Sequence, residues 1–138
     1  MKHIRRTVQT ISIVLAIALL GSCILILDDD DNDLFPRLAI DQTYSSQKIG
    51  GNQTNLYSFV ATATAHNVSV FSMVNVDADW YLYDDPNQAL NSLSPVDQSV
   101  TAEDPEDDVV TGLTVGVTYY LRVTNDTSKE GTYSIRVN

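Results

Sequence analysis

The sequence predicts an all-β domain, an antiparallel two-sheet β-sandwich of about eight strands. From residue 38 onward the chain is rich in Thr, Val, Tyr and Ser, and its short apolar runs are separated by turn residues. No sustained period of 3.6 residues indicates a long helix. Eight short strands in about 100 residues favour two packed sheets over one open sheet, because an antiparallel sheet must cover one face.

The expected strands cover residues 43–49, 54–64, 67–75, 78–84, 96–101, 108–113, 117–125 and 131–138. Turn residues separate them at Gly50-Gly51-Asn52, His66-Asn67, Asp85-Pro86-Asn87, Asp104-Pro105 and Asn125-Asp126. The sequence thus has the spacing of a chain of short strands.

Alternation along these strands predicts which side chains form the core. Successive side chains of a strand point to opposite faces, so residues two apart share a face. The expected inward residues are Tyr57, Phe59, Ala61 and Ala63; Val68, Val70 and Val74; Ala78, Trp80 and Leu82; Tyr119, Leu121 and Val123; and Tyr133, Ile135 and Val137.

The start of the chain has the three zones of an export signal. Lys2, Arg5 and Arg6 form a positive region, and residues 11–20 form an apolar run interrupted only by a serine. Leu20-Gly21-Ser22-Cys23 then resembles the lipobox of bacterial lipoproteins. This resemblance implies that residues 1–22 are a cleaved signal peptide and that Cys23 carries fatty acyl chains such as palmitate.

An uncleaved single-pass membrane anchor is the alternative. Residues 11–27 form a stretch of 17 residues without charge, slightly shorter than the ~20 residues that span a bilayer. Either interpretation places the remaining chain outside the cytoplasm, because positive charges stay inside. In a Gram-negative cell the lipoprotein is expected at the outer membrane, since Ile24 replaces the aspartate that commonly retains lipoproteins at the inner membrane.

Charge excludes one class of partner. Residues 23–138 contain all 18 acidic residues and five basic ones, a formal net charge of −13. Nucleic acid is therefore excluded as a partner, because phosphate binding needs clustered Lys and Arg. Residues 28–33 contain five aspartates, so we interpret residues 23–37 as a lipidated N-terminus and acidic tether. Cys23 is the only cysteine, which excludes an intrachain disulfide.

Three segments resemble the bacterial pre-peptidase C-terminal domain, a small jelly-roll-like β-sandwich. They are Asn55–Val60, Asp77–Asp84, and Val115–Val123 leading to Gly131-Thr132-Tyr133-Ser134-Ile135. The resemblance assigns residues 38–138 to this domain. Such domains usually follow secreted proteases, where they look like accessory modules for secretion, adhesion or stability, and some relatives bind calcium through acidic residues.

Acidic residues around one predicted strand, 78–84, form a candidate calcium site. Asp77 and Asp79 alternate with core residues, so both carboxylates are expected on the solvent face. Calcium takes six to eight oxygen ligands, and Asp84 is our expected third ligand, with Asp85 or the acidic run 103–108 as alternatives. The competing interpretation is that Asp77 and Asp79 accept hydrogen bonds from backbone amides at the strand entrance.

A binding surface is expected where three tyrosines face outward. Tyr81, Tyr83 and Tyr120 could form an aromatic platform for a protein or polysaccharide, or could simply pack across strands. His66 is interpreted as a turn residue and the run 103–108 as a solvated loop, so we expect no enzyme activity. The predicted function is a membrane-anchored, non-enzymatic binding or adhesion module with calcium as a candidate stabiliser. A structural or accessory subunit of an envelope or secreted protease assembly is the alternative.

Overall fold

The computed structural model describes residues 34–102 and 104–138, which belong to one compact unit, Asp31–Asn138. The predicted signal peptide, Cys23, the acidic run 28–33 and Glu103 lie outside the described residues. The elements are β1 (Thr43–Ile49), β2 (Thr54–Val60), β3 (Ala65–Val74), β4 (Ala78–Tyr83), α1 (Pro86–Asn91), β5 (Asp97–Ser99), β6 (Glu106–Thr111), β7 (Thr118–Asn125) and β8 (Gly131–Val137).

The eight strands form two four-stranded antiparallel sheets. Sheet I has the order β1-β8-β3-β6, and sheet II has the order β2-β7-β4-β5. The predicted all-β sandwich is therefore confirmed, and sequence-adjacent strands such as β1 and β2 lie in different sheets. Within the described residues, no helix has the length and hydropathy that a membrane span requires.

The main core lies between the two sheets and follows the predicted alternation. Tyr119, Leu121 and Val123 on β7 are buried, as are Tyr133 and Ile135 on β8. Trp80 and Leu82 of β4 fill the centre. Among the described residues, the core extends from Phe35 to Val137, so this part of the chain contains a hydrophobic core.

Two predicted core positions are wrong. Val74 is exposed because the pairing of β3 with β8 shifts between Phe71 and Val74, where Ser72 adopts a positive φ of 55°. Such a bulge reverses which side chains face inward. Ala63 is exposed because β2 ends at Val60, before the alternation reaches it.

A second apolar cluster lies on the outer face of sheet II. Phe35, Tyr83 and Ala89 are buried there, with Tyr81 and Tyr120 packed against them. Phe35, which precedes β1, and Ala89 of helix α1 cover this face from outside the strands. The predicted tether thus overlaps the folded domain, because Phe35 is buried and Arg37 bridges to β2.

The helix α1 is short and was expected to be a turn. The Asp85 side chain accepts hydrogen bonds from the amides of Asn87 and Gln88, and Pro86 begins the helix. An aspartate cap followed by proline is the usual start of a helix. The helix ends at Ser92, whose φ is 56°, so it covers one patch of sheet II only.

Candidate functional site

The three predicted binding tyrosines lie together, but they do not form an exposed platform. Tyr83 pairs with Tyr120 across β4 and β7, so the side chains are neighbours on the outer face of sheet II. Tyr83 is 1% exposed beneath the α1 cluster, and Tyr81 and Tyr120 are half-buried. The Phe35 ring meets the Tyr120 ring edge-on, with centroids 4.9 Å apart. Tyr83 is therefore a packing residue, because helix α1 covers the face that alternation alone placed in solvent.

Arg122 lies on the same outer face of sheet II and connects it to helix α1. The Arg122 guanidinium donates to the Ala89 carbonyl at 3.3 Å and to the Thr124 hydroxyl at 3.3 Å. It thereby ties β7 to the end of α1. Burial raises the pKa of Tyr83, and the Arg122 charge partly opposes this rise. Burial also raises the pKa of Tyr81, assisted by the negative Asp79. Both phenols are therefore neutral hydrogen-bonding groups at neutral pH.

Two carboxyl groups meet at the start of β4. Asp79 is 6% exposed, although it was expected in solvent, and its side chain shares a hydrogen bond with that of Asp126. The amide of Asp126 donates to the Asp77 carbonyl at 2.9 Å, which brings the β7–β8 loop against the β4 entrance. Burial raises the pKa of Asp79 to about 7, reinforced by the charge of Asp126 and its hydrogen bond, then by Asp77 and Glu106. Near neutral pH, Asp79 is therefore protonated in about half of the folded molecules.

The predicted calcium set is not brought together. Asp84 lies just beyond the other end of β4 from Asp79, and five residues of strand span about 16 Å. Asp85 is committed to capping α1. Among residues 34–102 and 104–138, no three histidine, cysteine or acidic side chains are arranged to hold a metal ion together. Asp79 and Asp126, together with the charge of Asp77, form an acidic group at the start of β4.

Glu106 was predicted in a loop, but it begins β6 and is 0% exposed. Its carboxylate accepts hydrogen bonds from the Ser99 hydroxyl at 2.5 Å and the Thr101 amide at 2.9 Å, and also from the Thr101 hydroxyl. Its backbone carbonyl accepts from the Trp80 indole at 3.3 Å. The side chain therefore fastens the β5–β6 connection over the core.

His66 was predicted as a turn residue, but it lies in β3 and is 3% exposed. Its Nε2 accepts hydrogen bonds from the amides of Thr62 and Ala63 at 3.0 and 3.2 Å. Because an amide only donates, Nδ1 carries the ring proton and donates to the Asn138 carbonyl at 3.0 Å. The imidazole thus joins the turn before β3 to Asn138, the residue after β8.

A buried asparagine has the same kind of role at the opposite end. Asn125 is 0% exposed, and its amide nitrogen donates to the carbonyls of Gly50 and Lys129 at 3.0 and 2.7 Å. Its carbonyl oxygen accepts from the Thr127 amide at 3.0 Å. The alternation of β7 predicts that Asn125 faces inward, but nothing in the sequence indicates its three backbone partners.

Comparison with known proteins gives a likeness in fold. No family model and no curated protein matches the sequence. Among solved structures, the chain is similar to the pre-peptidase C-terminal domain of collagenase from Bacillus anthracis. The TM-score is 0.58 at 23% identity, and the match covers 75% of this chain and 93% of that domain. The chain therefore has a β-sandwich fold like that of a pre-peptidase C-terminal domain.

Proposed function

We propose that the chain is a non-enzymatic, membrane-anchored lipoprotein of the bacterial cell envelope, whose sandwich domain binds a protein or a polysaccharide. The fold, which resembles a domain that accompanies a collagenase, supports the binding part of this proposal, and Leu20-Gly21-Ser22-Cys23 in the sequence supports the lipid anchor. We propose that the domain acts by binding and not by catalysis. One sheet face and its loops would be complementary in shape and charge to the surface of a partner.

The use of the buried polar side chains supports a binding role. Acid–base catalysis needs a group that can reach a substrate. Both nitrogens of His66 are engaged by backbone groups, and the Glu106 carboxylate is engaged by Ser99 and Thr101. These side chains hold loops in place, which is the chemistry of a scaffold. Purified protein should show no turnover in broad hydrolase screens, and reproducible hydrolysis that a point variant abolishes would contradict the proposal.

Lipid attachment at Cys23 is tested by metabolic labelling. Cells given an alkyne palmitate analogue should label the wild-type chain, and the Cys23→Ala variant should lose the label and keep its first 22 residues. Ser22→Ala is the matched control, since alanine is also a small residue before the cysteine. Normal cleavage of Cys23→Ala would favour a different signal peptidase, and an uncleaved wild-type chain would favour the membrane-anchor alternative.

The accessory-subunit alternative is favoured by the collagenase context of the similar domain. Immobilised protein comprising residues 31–138 separates the two roles. Retention of one envelope or secreted protein in stoichiometric amount supports an accessory subunit, whereas retention on a cell-wall or matrix polysaccharide supports adhesion. Tyr81→Ala and Tyr120→Ala test whether the half-buried tyrosines belong to the contact, with the exposed Thr114→Ala as control.

Calcium is proposed as a stabiliser at Asp79 and Asp126. The described residues supply a carboxyl pair with Asp77 nearby, which is fewer ligands than the six to eight oxygens that calcium prefers, so we expect weak binding. Burial is the main cause of the raised pKa of Asp79, and a divalent cation there would relieve the repulsion from Asp126 that adds to it. Calcium should raise the melting temperature at pH 8 more than magnesium does. Absence of both calorimetric heat and a melting shift would refute the proposal.

A further inference from the structure

The outer face of sheet I has an open depression of about 420 Å³. A cross-strand row forms its floor, because Ser69 of β3 pairs with Arg136 of β8 on one side and with Asp107 of β6 on the other. Phe71 and the loop residues Asp104 and Pro105 complete the wall. No segment of the described chain covers this depression as α1 covers sheet II.

Two carboxylates in the depression are held in position by neutral groups. The oxygens of Asp104 accept hydrogen bonds from the amides of Ser72 and Met73, both at 3.0 Å. Asp107 accepts from the Ser69 hydroxyl. Neither carboxylate makes an ion pair within the described residues. Both keep acceptor capacity for a ligand, and their positions are already fixed, which lowers the cost of binding.

Among the described residues that line the depression, Arg136 is the one cation, and an acidic partner partly offsets its charge. Arg136 pairs with Asp41 at 3.9 Å, at the β1 side of the sheet, and its buried Nε has no hydrogen-bond partner. The remaining wall combines the Phe71 ring and Pro105 with two negative groups. This combination suits a positive charge on an aliphatic stem, because the stem covers apolar surface while the charged end reaches the carboxylates. The strongly acidic chain further favours basic partners.

We infer that this depression binds a lysine or arginine side chain presented by a partner protein. The inference deepens the proposed binding function and rests on it for its biological setting. Binding of a basic peptide to the depression is measurable without the anchor or the natural partner. A negative peptide test therefore refutes this binding site only. The proposed binding function is tested separately by the capture experiment with residues 31–138.

The test is a titration with the blocked peptide acetyl-Gly-Lys-Gly-amide. Binding is measured by NMR from the amide shifts of two samples, the full-length chain in nonionic detergent and residues 31–138. Saturable shifts are expected at Ser69, Phe71 and Ser72, with a dissociation constant in the millimolar range. The same peptide with norleucine, which has the stem without the charge, should bind about two- to fivefold more weakly, since a charged contact is lost. Equal binding of both peptides would overturn the proposal.

Three variants test the direction of the charge effect. Asp107→Asn should weaken binding about two- to fivefold, whereas Asp108→Asn, the adjacent residue of β6 outside the depression, should change it much less. Arg136→Gln should strengthen binding, because it removes a repelling charge. Equal effects of the two aspartate variants, or weaker binding by Arg136→Gln, would contradict a basic side chain as ligand. Preference for a glucosamine oligomer over the lysine peptide would replace the protein partner with a polysaccharide.

Discussion

Replacing Asp79 with asparagine is expected to stabilise the protein at pH 8. The neutral amide can donate to the Asp126 carboxylate, as the protonated Asp79 does, without adding a second negative charge. Asp79 has its pKa raised from 3.8 to about 7, so the folded chain holds a proton that the unfolded chain releases above pH ~4. Wild-type stability therefore falls as pH rises from about 4 to about 7, because the folded state binds more protons in that window.

The size of the effect follows from the shift. One pKa unit corresponds to about 1.4 kcal/mol, so a rise of three units sets an upper limit of about 4 kcal/mol. Salt screening and movement of the loop that carries Asp126 reduce this to about 1–2 kcal/mol. For a domain of this size, 1 kcal/mol moves the melting temperature by roughly 4–8 °C. Asp79→Asn should thus melt about 5–10 °C above wild type at pH 8 and at the same temperature as wild type at pH 4.

Thermal unfolding in EDTA at several pH values measures this difference. Asp84→Asn is the matched control, since Asp84 is exposed beyond the other end of β4 and should leave the pH profile unchanged. Calcium at pH 8 should then stabilise wild type but not Asp79→Asn. Destabilisation of Asp79→Asn by more than about 1 kcal/mol at pH 8 in EDTA would refute the reasoning, because the charge would then be favourable in the fold.

Three further substitutions test the side chains that hold loops. His66→Phe keeps an aromatic ring beside Phe59 but leaves the Thr62 and Ala63 amides without their acceptor. It should lower the free energy of unfolding in urea by about 2–3 kcal/mol. An unchanged free energy would refute the acceptor role. Glu106→Ala should cost about 3 kcal/mol and Glu106→Gln about 1 kcal/mol, since glutamine still accepts from the Thr101 amide; equal losses would show that volume, not hydrogen bonding, matters. In Gly131→Ala the new methyl group would overlap the Val74 carbonyl oxygen; we expect a loss above about 2 kcal/mol by calorimetry, with Thr132→Ala as control.

Local patterns in the sequence predict the sandwich well, because strand formation and facing direction depend on alternation along a few residues. All three predicted inward residues of β4 are buried in the core, Ala78, Trp80 and Leu82. The errors arise where distant segments meet. Alternation correctly directs Tyr83 away from the core between the sheets, but only the folded chain shows that α1 covers it.

The buried polar residues escaped prediction for the same physical reason. Glu106 lies in an acidic run that is indistinguishable from solvated surface until Ser99 and Thr101 are placed beside it. Asp79 was expected to face solvent as one of a pair with Asp77, whereas its closest carboxyl partner, Asp126, comes from a loop 47 positions later in the sequence. Long-range contacts of this kind are set by sheet order, which short motifs do not specify.

The two outer faces of the sandwich consequently have different capacities for a partner. On sheet II, the tyrosines that the sequence predicts as a binding surface already pack with Phe35 and Ala89. A ligand could reach Tyr83 only if α1 moved away, which would break that packing. On sheet I, Asp104 and Asp107 are fixed by neutral donors beside an open depression. A partner on sheet I therefore needs no rearrangement of the fold, and we expect binding there to leave the environment of Tyr83 unchanged. Shifts of the Tyr83 ring signals when the captured partner is added would instead locate its contact on sheet II.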